Sequence, residues 1–137
     1  MSSQENVEIV GTAIKVFNRR DIGALVDLSE GDLEIVSALT AANLGGSTYH
    51  GETQAWTDYF AAMDETWEEW GIEDAELRDA GDGQVACLCR LVGRGKVSGV
   101  PVERGVGIVF RIRDGKLWRI RSYLDPSEAL EVVGLRK

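Results

Sequence analysis

The sequence holds one histidine, two prolines and two cysteines in 137 residues. No apolar run approaches the roughly 20 residues that cross a bilayer. Basic residues are scarce early on: positions 1–70 carry 3 basic and 13 acidic side chains. Each scarcity excludes something. Two prolines without a Ser/Gly-rich tract argue against a linker or a disordered chain. One histidine beside a Cys-x-Cys pair, Cys87 and Cys89, is a poor zinc set, and no metal or other cofactor is expected. Same-face neighbours on a strand lie about 6.6–7 Å apart, beyond easy disulfide reach, so the two thiols read as small buried apolar groups. A formal charge of −8 repels phosphate backbones and anionic lipid, so neither nucleic acid nor a membrane surface is an expected partner. Met1-Ser2-Ser3-Gln4-Glu5-Asn6 has no basic segment and no apolar stretch; it does not read as a signal peptide, and a cytoplasmic location is expected.

What is present fits one domain over 1–137. Apolar residues make up 44% and charged residues 28%, ordinary shares for a chain that buries one core. Val7, Val10, Ile14 and Phe17 recur at helical spacing and predict a helix over 3–18. Asp21 fits an N-cap for a short helix through Ile22, Leu25 and Leu28. Leu33–Val36 reads as a strand, and 40–48, rich in Thr, Asn, Gly and Ser, as a loop. The clearest element is a helix from about Glu52 to Trp70. There Trp56, Phe60, Met63, Trp67 and Trp70 step by 4, 3, 4 and 3 along one stripe. Strands are predicted over 72–79, 84–92, 101–113 and 116–124, then a short helix from Pro126. Helices grouped apart from consecutive strands make the fold α+β, with one sheet wrapped around the long helix.

Asp114-Gly115 between apolar alternations signals a two-residue hairpin that pairs Arg113 with Lys116. Counting outward by twos sorts both strands into faces. One face holds Gly105, Gly107, Val109 and Arg111 with Trp118, Ile120, Ser122 and Leu124. Its small residues either leave room for a ligand or mark a bend in a curved sheet. The other face gathers Val106, Ile108, Phe110, Ile112 and Tyr123. On a one-layer sheet that band meets water, which predicts a cover, most simply a second copy of the protein.

Asn18-Arg19-Arg20-Asp21-Ile22-Gly23-Ala24-Leu25 resembles the turn between the first two helices of nuclear-transport-factor-2-like (NTF2-like) proteins. Tyr49-His50-Gly51-Glu52 resembles the lead into their long helix. Arg113–Ile120 and Tyr123–Leu130 resemble their final hairpin and tail, the tail most of all in the SnoaL-like branch named for polyketide cyclases. The resemblance implies a cone: a curved antiparallel or mixed sheet around helices, an apolar pocket inside, and commonly a homodimer through the sheet's outer face. It leaves activity open, because the fold hosts isomerases, dehydratases, epoxide hydrolases, cyclases and binding domains. The tyrosine, aspartate base and protonated aspartic acid of the steroid-isomerase members fall near Ala13, Ala38–Leu39 and Gly107. The last aspartate of the epoxide-hydrolase set falls on Ser122, and its strand pair near Cys87 and Val85. Neither set is present.

The expected pocket is walled by Phe17, Trp56, Phe60, Met63, Val109, Trp118, Ile120, Ser122 and Leu124, with Tyr49, His50 and Tyr59 as its polar neighbours. His50 has an unperturbed pKa near neutrality and Asp125 ends a pocket strand, so these two are the candidate proton carriers. Each also has a structural reading. His50 fits a surface or capping position, and Asp125-Pro126-Ser127-Glu128 is a capping box. Ser122 has no visible base to make it a nucleophile. The expected function is binding of a small, mostly apolar molecule inside the cone. The alternatives are an acid–base enzyme acting on a carbonyl compound, and a dimerisation module with an occluded pocket.

Overall fold

In the computed structural model, which describes residues 3–40 and 47–135, helix α1 covers Ser3–Asn18 and buries Val10, Ala13, Ile14 and Phe17 on one face. Helix α2 (Ile22–Asp27) is capped by Asp21, whose carboxylate accepts from the Ala24 N–H at 3.1 Å. Strands β1 (Ser29–Ser37) and β2 (Ser47–His50) pair antiparallel. Ser47–Thr48 are therefore strand where a loop was expected over 40–48, and residues 41–46 lie outside the described residues. Helix α3 (Glu52–Thr66) leads into β3 (Trp67–Gly81), β4 (Gln84–Gly95), β5 (Pro101–Arg113), β6 (Lys116–Tyr123) and helix α4 (Pro126–Val132). The six strands form one mixed, curved sheet in the order β2-β1-β6-β5-β4-β3, with β1 and β6 parallel. This is the α+β architecture read from the element order. Among the described residues no helix is long and apolar enough to cross a membrane.

The long helix is shorter than its aromatic stripe. It stops at Thr66, and Trp67 is extended at φ −129° and ψ 152°. The step of three to Trp70 belongs to a bulged strand. The β3/β4 register shifts between Glu68 and Gly71, and Glu69 sits at φ 49°. The bulge turns both indoles against one core, which a regular strand would not do. Their N–H groups fasten the corner: Trp67 donates to the Leu39 carbonyl at 3.0 Å, and Trp70 to Asp64 Oδ1 at 2.7 Å.

A second bulge decides which side chains face inward. Asp114 and Gly115 both have positive φ, the twist a two-residue hairpin needs. Arg113 pairs with Lys116 and Ile112 with Leu117, as the turn predicts. Arg111 then pairs with Arg119, so Trp118 is an extra residue on β6. Val106, Ile108, Phe110 and Ile112 join the core with Leu117 and Ile120. Val109, Arg111, Trp118, Arg121 and Tyr123 lie on the outer face. Two expectations are corrected here. The apolar band of β5 lines the interior, so it supplies no ground for a second copy. Val109 and Trp118 look away from the interior, because parity counted through a bulge inverts.

Part of the outer face is covered by the chain itself. Ala129, Leu130 and Val133 pack on Ala86 and Val109. Gly107 permits that approach, since a Cβ there would stand 2.5 Å from the Ala129 Cβ.

Buried polar pairs position the helices on the sheet. Asn18 imitates a strand neighbour: its Nδ2 donates to the Ile72 carbonyl at 2.9 Å, and its Oδ1 accepts from the Ile72 N–H at 3.0 Å. Ser29 Oγ accepts from Trp56 Nε1 at 2.9 Å and donates to the Leu25 carbonyl at 2.7 Å. Ser29→Ala would leave the indole N–H buried without an acceptor. Chemical denaturation is expected to show a loss of about 1–3 kcal/mol, the cost of such a group. A loss within a few tenths would mean that the relay does not hold α3.

Candidate functional site

Helices α1 and α3 meet the inner sheet face around one opening. Ala13, Ile14, Phe17, Trp56 and Tyr59 line it from the helices. Ile35, Val36, Ile72, Ile108, Phe110, Ile120 and Ser122 line it from the sheet. The space left is small, a cavity of about 30 Å³. Aromatic packing fills the rest. Ring centroids lie 5.1 Å apart for Phe17 and Phe60, 5.4 Å for Phe17 and Trp70, and 6.1 Å for Phe17 and Tyr59.

The polar groups at the opening are few, and the fold already uses them. Trp56 is tied to Ser29. Ser122 Oγ accepts from the Ala38 N–H at 2.9 Å, holding the end of β1. Tyr59 is buried, and burial pushes its phenol up despite a hydrogen bond with Ser37, so it stays protonated and able to donate. Among the described residues no imidazole or carboxylate lines the opening. Cys87 and Cys89 are buried on β4, as small core groups should be. Cys89 donates to the Val106 carbonyl at 3.9 Å, and the Cys87 thiol is pushed up by its hydrogen bond to Cys89 and by burial.

Of the residues expected at the pocket, Phe17, Trp56, Tyr59, Ile120 and Ser122 come together there. Phe60 and Met63 lie in the same core behind them. Tyr49 meets Tyr59 edge-on at 5.7 Å, and its hydroxyl is buried without a partner among the described residues. The others lie elsewhere. The His50 side chain is 68% exposed, with Nδ1 3.8 Å from Glu34 Oε2. Asp125 caps α4, accepting from the Ser127 N–H at 2.9 Å. Leu124 is 41% exposed, Val109 lies under α4, and Trp118 sits beneath the guanidinium groups of Arg113 and Arg119. Neither candidate proton carrier reaches the interior: one stands at the end of an exterior strand, the other is spent on a helix terminus.

Ile108 and Phe110 are the lining residues that parity counting misses. A signal for them exists. Leu117 and Ile120 are three apart, and only a bulge brings both to one face. The unbroken alternation Val106-Ile108-Phe110-Ile112 is also the more apolar face, and the more apolar face goes in.

The aromatic cluster is clasped at the end of α3. Arg20 Nη1 lies 2.8 Å from Asp64 Oδ1, its guanidinium sits 4.3 Å over the Trp70 ring, and Lys96 Nζ donates to the Asp64 carbonyl at 2.9 Å. Partial burial opposes the Asp64 charge, but hydrogen bonds from Trp70 and Arg20 outweigh it and hold the carboxyl below its ordinary 3.8. A carboxyl lowered by folding stabilises the fold while it is ionised. That contribution is complete above the unfolded value and fades as pH falls below 3.8 through the folded one. Asp64→Asn is therefore expected to cost more stability at pH 6 than near pH 2.5, as read by urea titration at both. An equal cost at both values would contradict the clasp.

No family model matches the chain, and no curated protein sequence does either. Solved structures do. An NTF2-like protein from Burkholderia xenovorans is 24% identical over 97% of this chain and 98% of its own, with a TM-score of 0.76. A Catenulispora acidiphila protein with a ketosteroid-isomerase-like fold, solved with trimethylamine, is 22% identical over 94% of each chain, with a TM-score of 0.68. SalBIII, an epoxide hydrolase/cyclase-like enzyme of pyran ring formation in the polyether salinomycin, is 22% identical over 89% of this chain and 92% of its own, with a TM-score of 0.69. These likenesses show the fold: the chain has the NTF2-like architecture that its motifs resemble.

Proposed function

We propose that the domain is a binding module that takes a small apolar group into the opening between Phe17, Tyr59, Phe110 and Ile120. The observation that carries this reading is the lining. Among the described residues it is mostly apolar, with the Tyr59 phenol buried, the Ser122 hydroxyl and Trp56 N–H already bonded within the fold, and no carboxylate or imidazole. Acid–base catalysis needs a titrating group within hydrogen-bond reach of the ligand. His50 and Asp125 are held outside, and Tyr59 stays neutral. Tyr59 is suited instead to donate one hydrogen bond to a ligand oxygen in exchange for Ser37. The fold also serves enzymes, SalBIII among them. In this chain the residues at the opening support recognition by shape with one polar contact.

The size of the space narrows the ligand class. With about 30 Å³ free, a ring enters only if side chains of the lining move. Single rings and short chains therefore fit this reading better than polycyclic molecules. Thermal shift with cyclohexanone, cyclohexane and naphthalene tests it. A ligand present at 100 times its Kd stabilises by about 2.7 kcal/mol. Cyclohexanone is expected to raise Tm more than cyclohexane, Tyr59→Phe to abolish the difference, and naphthalene to do less than either. No shift with any ring, or a cyclohexanone advantage that survives Tyr59→Phe, would overturn the reading.

A further inference from the structure

The outer face of the sheet holds more open space than the cone. A groove of about 190 Å³ lies over β1, β5 and β6, with Val36 and the rings of Trp118 and Tyr123 among its apolar lining and Glu34, Arg111, Arg119 and Arg121 as its charged lining. The arginines of this hairpin differ in what neutralises them. Near the turn, Arg113 hydrogen-bonds Glu30 and lies 3.0 Å from Asp32 Oδ1. Arg119 donates to the Asp32 and Trp118 carbonyls, with Glu34 Oε1 3.9 Å from its Nε. Among the described residues Glu34 is the groove's one carboxylate, and it lies beside Arg119. Among the described residues Arg111 and Arg121 have no carboxylate partner, and the Arg121 guanidinium lies 5.3 Å from the Tyr123 ring centroid.

That gap is unexpected in a chain with 23 acidic residues against 15 basic ones. Arg111 pairs across the strands with Arg119, and Val109 with Arg121, so Arg111 and Arg121 are diagonal neighbours on one face. Like charges at such positions repel, and an anion between them removes the repulsion. Guanidinium forks match a carboxylate in geometry as well as in charge. Val36 and the Tyr123 ring beside them offer an apolar floor to a hydrocarbon body.

The geometry points to a binding site for a small organic carboxylate on the outer sheet face, its carboxylate between Arg111 and Arg121 and its apolar body on Val36 and the Tyr123 ring. The site shares Val36 and Ile120 with the interior opening but lies on the other side of the sheet, and the groove's volume suits a single-ring acid.

Calorimetric titration of the full chain tests this with benzoate, benzyl alcohol and inorganic phosphate at constant ionic strength. Benzoate is expected to bind at least tenfold more tightly than either comparator. The Arg111→Gln/Arg121→Gln double variant is expected to weaken benzoate at least tenfold while its Tm stays unchanged, since both positions are exposed. Tyr59→Phe is expected to leave benzoate binding as it is, which separates this site from the interior one. Failure of benzoate to bind would overturn the proposal, as it would if sedimentation showed the face closed by a second copy. So would phosphate matching benzoate, benzyl alcohol matching it, or full affinity in the double variant.

Discussion

Phe110→Ala is expected to lower the folding free energy by about 3–5 kcal/mol, the usual cost of removing a core aromatic ring. Phe110 is buried on β5, opposite Ile120 on β6, and lines the opening beside Phe17. A loss of that size is a large part of the roughly 5–15 kcal/mol that holds an ordinary domain together. Its neighbour Arg111 lies on the other side of the sheet and is exposed. Arg111→Ala is expected to shift stability by no more than about 0.5 kcal/mol, as exposed substitutions generally do. The contrast follows from the Trp118 bulge, because the unbulged count puts Phe110 outside and Arg111 inside. Urea denaturation of the two variants decides between the registers. Comparable losses, or a greater loss for Arg111→Ala, would contradict the bulge.

Gly107→Ala is the second large effect. A Cβ at Gly107 would lie 2.5 Å from the Ala129 Cβ and 3.2 Å from the Pro126 Cα, both in α4. Neither atom is the end of a flexible side chain, so the helix itself must shift. Overpacking of this kind costs about 1–3 kcal/mol. At Gly105 the nearest atom to an added Cβ is Pro126 Cγ at 3.7 Å, an ordinary contact. Gly105→Ala is expected to be neutral or to stabilise by about 0.4–1 kcal/mol, through the smaller entropy of the unfolded chain. Thermal unfolding of the two variants checks the pair. Equal behaviour would mean that α4 does not pack on this part of the sheet.

Local signals account for most of the fold that is legible from sequence. The α1 spacing, the Asp21 and Asp125 caps and the Asp114-Gly115 turn each depend on a few neighbouring residues, and the structure has all of them. The resemblance to NTF2-like proteins holds at the level of fold. What was not legible lies at two bulges. At Glu69, a spacing of three that reads as helix belongs to a strand with a non-glycine residue at positive φ. At Trp118, one inserted residue exchanges the faces of β6 beyond it relative to a count from the turn, and so changes which face of β5 it shares. Tertiary packing decides both, because each lets two apolar side chains reach a core that strict alternation would deny to one of them. The candidate site was legible to the same extent. Phe17, Trp56 and Tyr59 follow from helical spacing, and Ile120 and Ser122 lie beyond the bulge on the side that faces in. Val109 and Trp118 were placed by an alternation that the bulge interrupts, and Ile108 and Phe110 were displaced by the same count.

Methyl-labelled NMR tests the account at its centre, because isoleucines mark both sides of the question. Ile14, Ile35, Ile72, Ile108 and Ile120 line the opening, and Ile9 and Ile22 do not. Titration with cyclohexanone is expected to move the first set of δ1 methyl signals and leave Ile9 and Ile22 in place. Signals that stay still throughout, or that move at Ile9 and Ile22 instead, would show that the interior takes no ligand.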